Sequence, residues 1–261
     1  MEGNRTDENH GGENQGMNRI LDPIRVTFGA LPATALLVLF AGCSGKQNTA
    51  ATAAPAAPHV ASYSTKFPKT EDPISEGGRW IGGKTVGSDW GNVSTTPGYA
   101  FGNAGPKRFA DSVALLTGDW PVNQSVEVFV DKRKVKLYPE VSMRLRSSLG
   151  KHNCDGYEIS YSLRDDETTA YLIIVRWNGS LADFTYLVNA QGKQYAVKTG
   201  DVVKATMVGN EIKTYKNGVL MGSSKDNTYI HGNPGFGFNE RNNGDYGISS
   251  FSATATDATP F

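Results

Sequence analysis

From about Glu71 onward, short runs of β-branched and aromatic residues alternate with clusters of glycine, asparagine and aspartate, and no long stretch has apolar residues at helical spacing. A chain with that grammar folds into short strands joined by tight turns. Strands are expected over 111–117, 124–131, 140–147, 157–164, 170–177, 183–189, 201–208, 211–216, 219–223 and 247–255. So many short strands predict an all-β domain, most economically a two-sheet antiparallel sandwich. Gly209-Asn210 and Asn217-Gly218 suit hairpin turns with positive φ, which makes 201–223 three successive antiparallel strands.

The alternation also assigns faces. Val141, Met143 and Leu145 alternate with Ser142, Arg144 and Arg146, and Tyr157, Ile159, Tyr161 and Leu163 alternate with Glu158, Ser160 and Ser162. Each strand is therefore expected to have one core face and one wet face. Tyr171 to Val175 are apolar without a break, so that strand is expected to be central and covered on both faces, with a bound ligand or a loop over the second.

The N-terminal part is of another kind. Arg19 and Arg25 precede an apolar run from Val26 to Phe40, followed by Ala41, Gly42 and Cys43. Small residues before a cysteine, after a short apolar segment, are what a bacterial lipoprotein signal peptidase requires. Phe40 departs from the leucine usual three positions before that cysteine. From Val26 to Gly42 the stretch holds about 17 residues and contains Pro32, short of the roughly 20 that a spanning helix needs. Residues 1–42 are thus expected to be an N-terminal extension and signal peptide, with translation starting at Met17, and Cys43 is expected to carry lipid. Residues 43–70, rich in alanine, proline and threonine, are expected to form a tether about 30 Å long on average, leaving 71–261 as the folded domain. Ser44 after the cysteine points to outer-membrane sorting within a bacterial cell envelope.

With Cys43 lipidated, Cys154 has no disulfide partner and is expected to be an inert thiol. The 26 basic and 26 acidic residues balance, which gives no support to nucleic acid as a partner. The basic run at 131–136 is expected to be a solvated loop, with anionic headgroups or a polyanionic glycan as its alternative contacts.

Asn123 to Val128, Gly156 to Ile159, Asn217 to Gly222, and above all Gly232-Asn233-Pro234-Gly235-Phe236-Gly237-Phe238 leading to Tyr246-Gly247-Ile248-Ser249-Ser250-Phe251, occur together in that order. Over roughly residues 71–256 the chain resembles the concanavalin A-like lectin/glucanase superfamily, in particular laminin G-like and 3-keto-disaccharide hydrolase-type domains. The resemblance implies a jelly-roll sandwich with a concave sheet that often binds glycans. It does not imply catalysis.

No catalytic residues are assigned. The Glu-x-Asp-x-x-Glu strand of laminarinase-type members is absent, Asp165-Asp166-Glu167 reads as a turn, and Asp155 and Glu158 lack that spacing. The strand from Ser142 to Ser147 resembles the arginine-bearing strand of alginate-lyase-like members, but the matching histidine and Tyr-x-Gln strands are missing. For carbohydrate binding the candidates are Trp90, Tyr99 and Trp120, as flat surfaces for sugar rings, and a cluster of Arg144, Glu158 and Arg176. Neither His152 nor His231 has a companion at ligand spacing, so no metal site and no cofactor are expected; structural calcium at Asp111, Asp119 or Asp245 is the exception considered. The sequence therefore predicts an anchored, non-catalytic carbohydrate-binding or surface-interaction sandwich. The alternatives are a glycan-active hydrolase or lyase, and a structural envelope protein whose sheet face is filled by its own side chains.

Overall fold

The computed structural model describes residues 57–103, 109–134, 139–164, 168–239 and 244–258. The expected signal, Cys43, the first part of the tether and the Asp165–Glu167 cluster lie outside the described residues. Among those described, the chain first forms β1 (Val60–Thr65), β2 (Trp80–Gly82), β3 (Asn92–Thr96), β4 (Tyr99–Asn103) and β5 (Ser112–Leu116). Five longer strands follow: β6 (Asn123–Lys132), β7 (Glu140–Gly150), β8 (Asn153–Ser162), β9 (Tyr171–Gly179) and β10 (Phe184–Gln191). The last are β11 (Val202–Val208), β12 (Glu211–Lys216), β13 (Val219–Lys225), β14 (Asn233–Phe238) and β15 (Tyr246–Thr256).

They form two antiparallel sheets. One has the order β13-β12-β11-β6-β15-β4-β3, with β1 also on β15; the other runs β10-β9-β8-β7-β14-β5-β2. Strands distant in sequence pair within each sheet, β6 with β15 and β7 with β14, while the connections β6 to β7 and β14 to β15 carry the chain between the sheets of a jelly-roll sandwich. The expected hairpins are present, β11 pairing β12 and β12 pairing β13.

Val126, Val128 and Val130 from one sheet and Val141, Met143, Leu145, Ile159, Leu172 and Ile174 from the other meet in the main core. Burying each such side chain contributes roughly 1.5–3 kcal/mol. Trp80 meets Phe236 and Phe251 edge-on at 5.2 and 4.9 Å, and the two phenyl rings meet tilted at 5.3 Å, closing that core.

Four features differ from the sequence expectations. β1 lies inside the stretch expected to be tether and pairs with β15 from Val60↔Thr256 to Thr65↔Phe251, its Ala61 and Tyr63 packing on the core. β14 has too much glycine to read as a strand, yet the glycines are what lets β5 approach: a Cβ at Gly235 would lie 2.2 Å from the Ala114 carbonyl oxygen. β9 is flanked by β8 and β10, one strand from the sheet edge rather than central. Most consequential, the face of β7 and β8 expected to be wet is dry: Ser142, Arg144, Glu158 and Ser160 are all at most 2% exposed.

A second apolar layer covers that face. Trp90, Val113, Leu115, Cys154, Val175 and Trp177 form a separate buried cluster on the outer side of the seven-stranded sheet. The loop bearing Trp90 is stitched down by its backbone, the Gly91 N–H donating to the Asp111 carbonyl (2.7 Å) and the Val113 N–H to the Gly91 carbonyl (3.1 Å). The His152 N–H donates to the Gly87 carbonyl (3.1 Å), so His152 serves the hairpin and loop contact.

Candidate functional site

Strand register brings the polar side chains of this covered face together. Arg144 on β7 stands directly opposite Glu158 on β8, Ser142 opposite Ser160, and Glu140 opposite Ser162. Arg144 Nη2 lies 2.8 Å from Glu158 Oε2, with both side chains out of solvent. The same Oε2 accepts the Trp177 indole N–H at 2.5 Å, and Oε1 accepts the Ser160 hydroxyl at 2.9 Å. Glu140 Oε2 accepts the Tyr171 hydroxyl at 2.6 Å.

The two carboxyl groups sit in unlike surroundings. Burial and the neighbouring Glu158 charge push the Glu140 carboxyl up to about 7, against the lowering pull of Tyr171, Ser160 and Arg144. Burial works to lower the Arg144 pKa, but the charges of Glu158, Cys154, Asp111 and Glu140 outweigh it and raise it. Burial pushes the thiol of Cys154, which lies within β8, up to about 12.

Beside this cluster, a cavity of about 300 Å³ opens on the outer face of the sheet. Its apolar wall comprises Phe109, Ile173, Val175, Trp177, Phe184 and Tyr186, and its polar lining comprises Asp111, Glu140, Glu158, Tyr171, Asn189, Gln191 and Asn239. The wall is a chain of ring contacts, Trp90 on Trp177 (5.2 Å), Trp177 on Phe184 (5.2 Å) and Phe184 on Tyr186 (5.3 Å), running from a fully buried indole to a phenol 53% exposed. A register shift in β10 between Tyr186 and Val188 resets the parity of that strand. Asn189 and Gln191 therefore face the cavity with Phe184 and Tyr186. The unbroken apolar run of β9 has its explanation here: Leu172 and Ile174 enter the core, while Ile173, Val175 and Trp177 line the cavity.

Of the six sequence candidates, Arg144 and Glu158 come together and Arg176 does not. Arg176 alternates with Trp177 onto the opposite face, where its Nη1 pairs with Asp226 Oδ2 (2.6 Å) and donates to Thr228 (2.9 Å). The three aromatic candidates do not form a stacking surface. Trp90 is buried behind Trp177, Trp120 is in the main core with its indole N–H on the Thr117 carbonyl, and Tyr99 is buried with its hydroxyl on the Asp131 and Gly244 carbonyls. Arg133 of the basic run stacks over the Tyr99 ring at 3.5 Å. Arg146, at a register shift in β7, turns away from Arg144 and donates to the Val122, Gly209 and Tyr229 carbonyls.

Sequence reasoning missed Glu140, Tyr171, Phe184, Tyr186, Asn189 and Gln191 as site residues. A signal existed for Glu140, since it shares strand parity with Ser142 and Arg144. Among the described residues no group of three or more His, Cys, Asp or Glu side chains is placed to hold a metal ion. Asp111 belongs to the cavity lining.

No family model and no curated protein matches the sequence. Solved structures to which the chain is similar include a carbohydrate-binding module from Bacillus subtilis, 13% identical with a TM-score of 0.45, over 68% of this chain and 92% of that one. The metal-free carbohydrate recognition domain of Emp46p is 11% identical with a TM-score of 0.47, over 73% of this chain and 95% of that one. A β-porphyranase from the human gut bacterium Bacteroides plebeius is 10% identical with a TM-score of 0.42, over 77% of this chain and 94% of that one.

Proposed function

We propose that the domain binds a carbohydrate in the cavity on the outer face of its seven-stranded sheet. One observation carries this reading: an aromatic wall ending in exposed Tyr186 faces a row of carboxyl and amide groups across about 300 Å³. A sugar ring offers an apolar C–H face for the one and hydroxyl donors for the other. The face is half filled by its own side chains around Trp90 and half open, which favours a binding module over a purely structural protein.

The test is a glycan array with the full chain, followed by titration of the best ligand. Tyr186→Ala is expected to weaken binding about tenfold, as loss of one aromatic contact worth about 1 kcal/mol or slightly more implies. Unchanged affinity in Tyr186→Ala and Asn189→Ala would place the sugar elsewhere.

A second reading is glycoside hydrolysis, and the adjacent Glu140 and Glu158 favour it. Glu140 keeps its proton near neutrality and Glu158 sits against Arg144, the unlike pair that acid–base chemistry requires. Against it, Glu158 is 2% exposed and both its oxygens already accept hydrogen bonds. New reducing ends from an oligosaccharide, lost in Glu140→Gln, would establish the hydrolase and displace the binding reading.

We further propose that lipidated Cys43 holds the domain in a bacterial envelope, most simply at the outer membrane, on the basis of the apolar run and the Ala41-Gly42-Cys43 sequence. A surface tether raises the local concentration of a module and offsets weak affinity at a single site. Cys43→Ser is expected to move the protein from the membrane to the soluble fraction; retention in the membrane fraction would mean another anchor.

A further inference from the structure

We infer that the domain carries a second sugar-binding site, on the outer face of the eight-stranded sheet and centred on Phe129. It goes beyond the cavity described above, since the two lie on the outer faces of different sheets.

The strands build this site in plain steps. Along β6, Val126, Val128 and Val130 enter the core, which sends Ser125, Glu127 and Phe129 to the opposite face. Register then lays two rows across that face. Ser64 on β1, Ser252 on β15, Glu127 on β6 and Lys204 on β11 stand side by side, and in the next row Ser250, Phe129 and Val202 do the same. Two features hollow the surface between them. β15 shifts register between Ile248 and Ser250, and β1 makes its last pair at Thr65↔Phe251, after which fully buried Phe67, at φ +54°, takes the chain into the core. β15 leaves β1 behind at this point, and a dent of about 360 Å³ opens over Phe129 and Ser250, with Lys66 in its lining.

A lone exposed apolar side chain on a strand is ordinary. What sets this one apart is its company. Phe129 is 41% exposed and pairs across the strands with Val202, which makes an apolar floor. Five polar side chains, Ser64, Lys66, Glu127, Ser250 and Ser252, line the same dent. Among the described residues, none of the five spends its side chain on a hydrogen bond or ion pair within the protein, whereas the adjoining Thr65 donates to Glu76 at 2.5 Å. The lining thus offers a group that only accepts, Glu127, and a group that only donates, Lys66, and a sugar hydroxyl satisfies either. The C–H face of a neutral pyranose covers the phenyl ring while its hydroxyls reach the polar rim. With the two sheets packed about 10 Å apart and a site on each outer face, no single sugar ring reaches both. The domain therefore holds two glycan chains at once, and a polymer held at two points is retained longer than at one.

Calorimetric titration of the full chain with cellohexaose, laminarihexaose, chitohexaose and the best ligand from the glycan array tests this. At least one probe is expected to bind about tenfold more weakly to Phe129→Ala while binding Tyr186→Ala unchanged. Phe129→Tyr, which keeps a ring in place, should bind that probe as the wild type does, and it separates loss of stacking from a folding defect. A probe that uses both faces should show two sugars per chain in the wild type and one in either alanine variant. If every probe that binds is indifferent to Phe129→Ala, the second site is overturned and the cavity stands. If Phe129→Ala weakens binding and Tyr186→Ala affects no probe, the second site stands and the cavity reading falls. Self-association of the wild type that Phe129→Ala abolishes, with sugar binding unaffected, makes this face an interface between copies and overturns the proposal. Binding of none of the probes removes both sites.

Discussion

Replacing Arg144 with methionine is expected to destabilise the fold by about 3–5 kcal/mol at neutral pH, the cost of leaving one member of a buried ion pair without its partner. Arg144 is 0% exposed and Glu158 2%, so water cannot take over the role of the guanidinium. After the substitution, Glu158 retains only the Trp177 indole N–H and the Ser160 hydroxyl, beside the carboxyl of Glu140. The double variant Arg144→Met with Glu158→Met is expected to recover most of the loss, because two apolar side chains need no counter-charge. Its recovery stays incomplete, since the Trp177 N–H loses its acceptor and an unsatisfied buried donor costs about 1–3 kcal/mol. Urea unfolding of the wild type and of the two variants reads both quantities. A single variant within about 1 kcal/mol of wild type would show that the pair is effectively solvated and that the outer layer does not seal this face.

That layer also explains what the sequence did and did not disclose. Period-2 alternation told correctly which residues of β7 and β8 share a face: Val141, Met143 and Leu145 go one way and Ser142 and Arg144 the other. It could not tell whether a polar-looking face meets water or a further layer, because the covering side chains, Trp90, Phe109 and Phe184, come from distant segments. Exposure is a tertiary property, and a strand carries no local mark of it beyond its own polarity. The unbroken run in β9 was the one local sign of two-sided cover, and it led to the cavity. Arg176 was misplaced for a simpler reason, since it and Trp177 are consecutive and must face opposite ways. Arg146 has the parity of Arg144 on paper, but the register shift after Leu145 and a positive φ of 45° turn it out of the row. Large aromatic residues in loops read equally well as sugar platforms and as core seals; Trp90 and Trp120 prove to be seals.

The second large effect concerns Glu140, and its sign runs against the usual behaviour of a carboxylate in a folded protein. A salt-bridged acid has a depressed pKa and contributes stability that is lost as pH falls. Glu140 is raised from the ordinary 4.5 to about 7, first by burial and then by the charge of Glu158. Between those two values the native state keeps a proton that the unfolded chain has released, so stability falls as pH rises through that window. The contribution is fully present below about pH 4.5 and lost above about pH 7. Glutamine at this position has nearly the same shape and cannot ionise, so Glu140→Gln should remove the dependence. The variant is expected to match wild type at pH 4.5 and to exceed it at pH 8 by on the order of 3 kcal/mol. Urea midpoints for the two proteins at each pH measure this difference, with all other titrating groups held in common. A difference that stays flat across the range would mean that Glu140 is solvated in the native state.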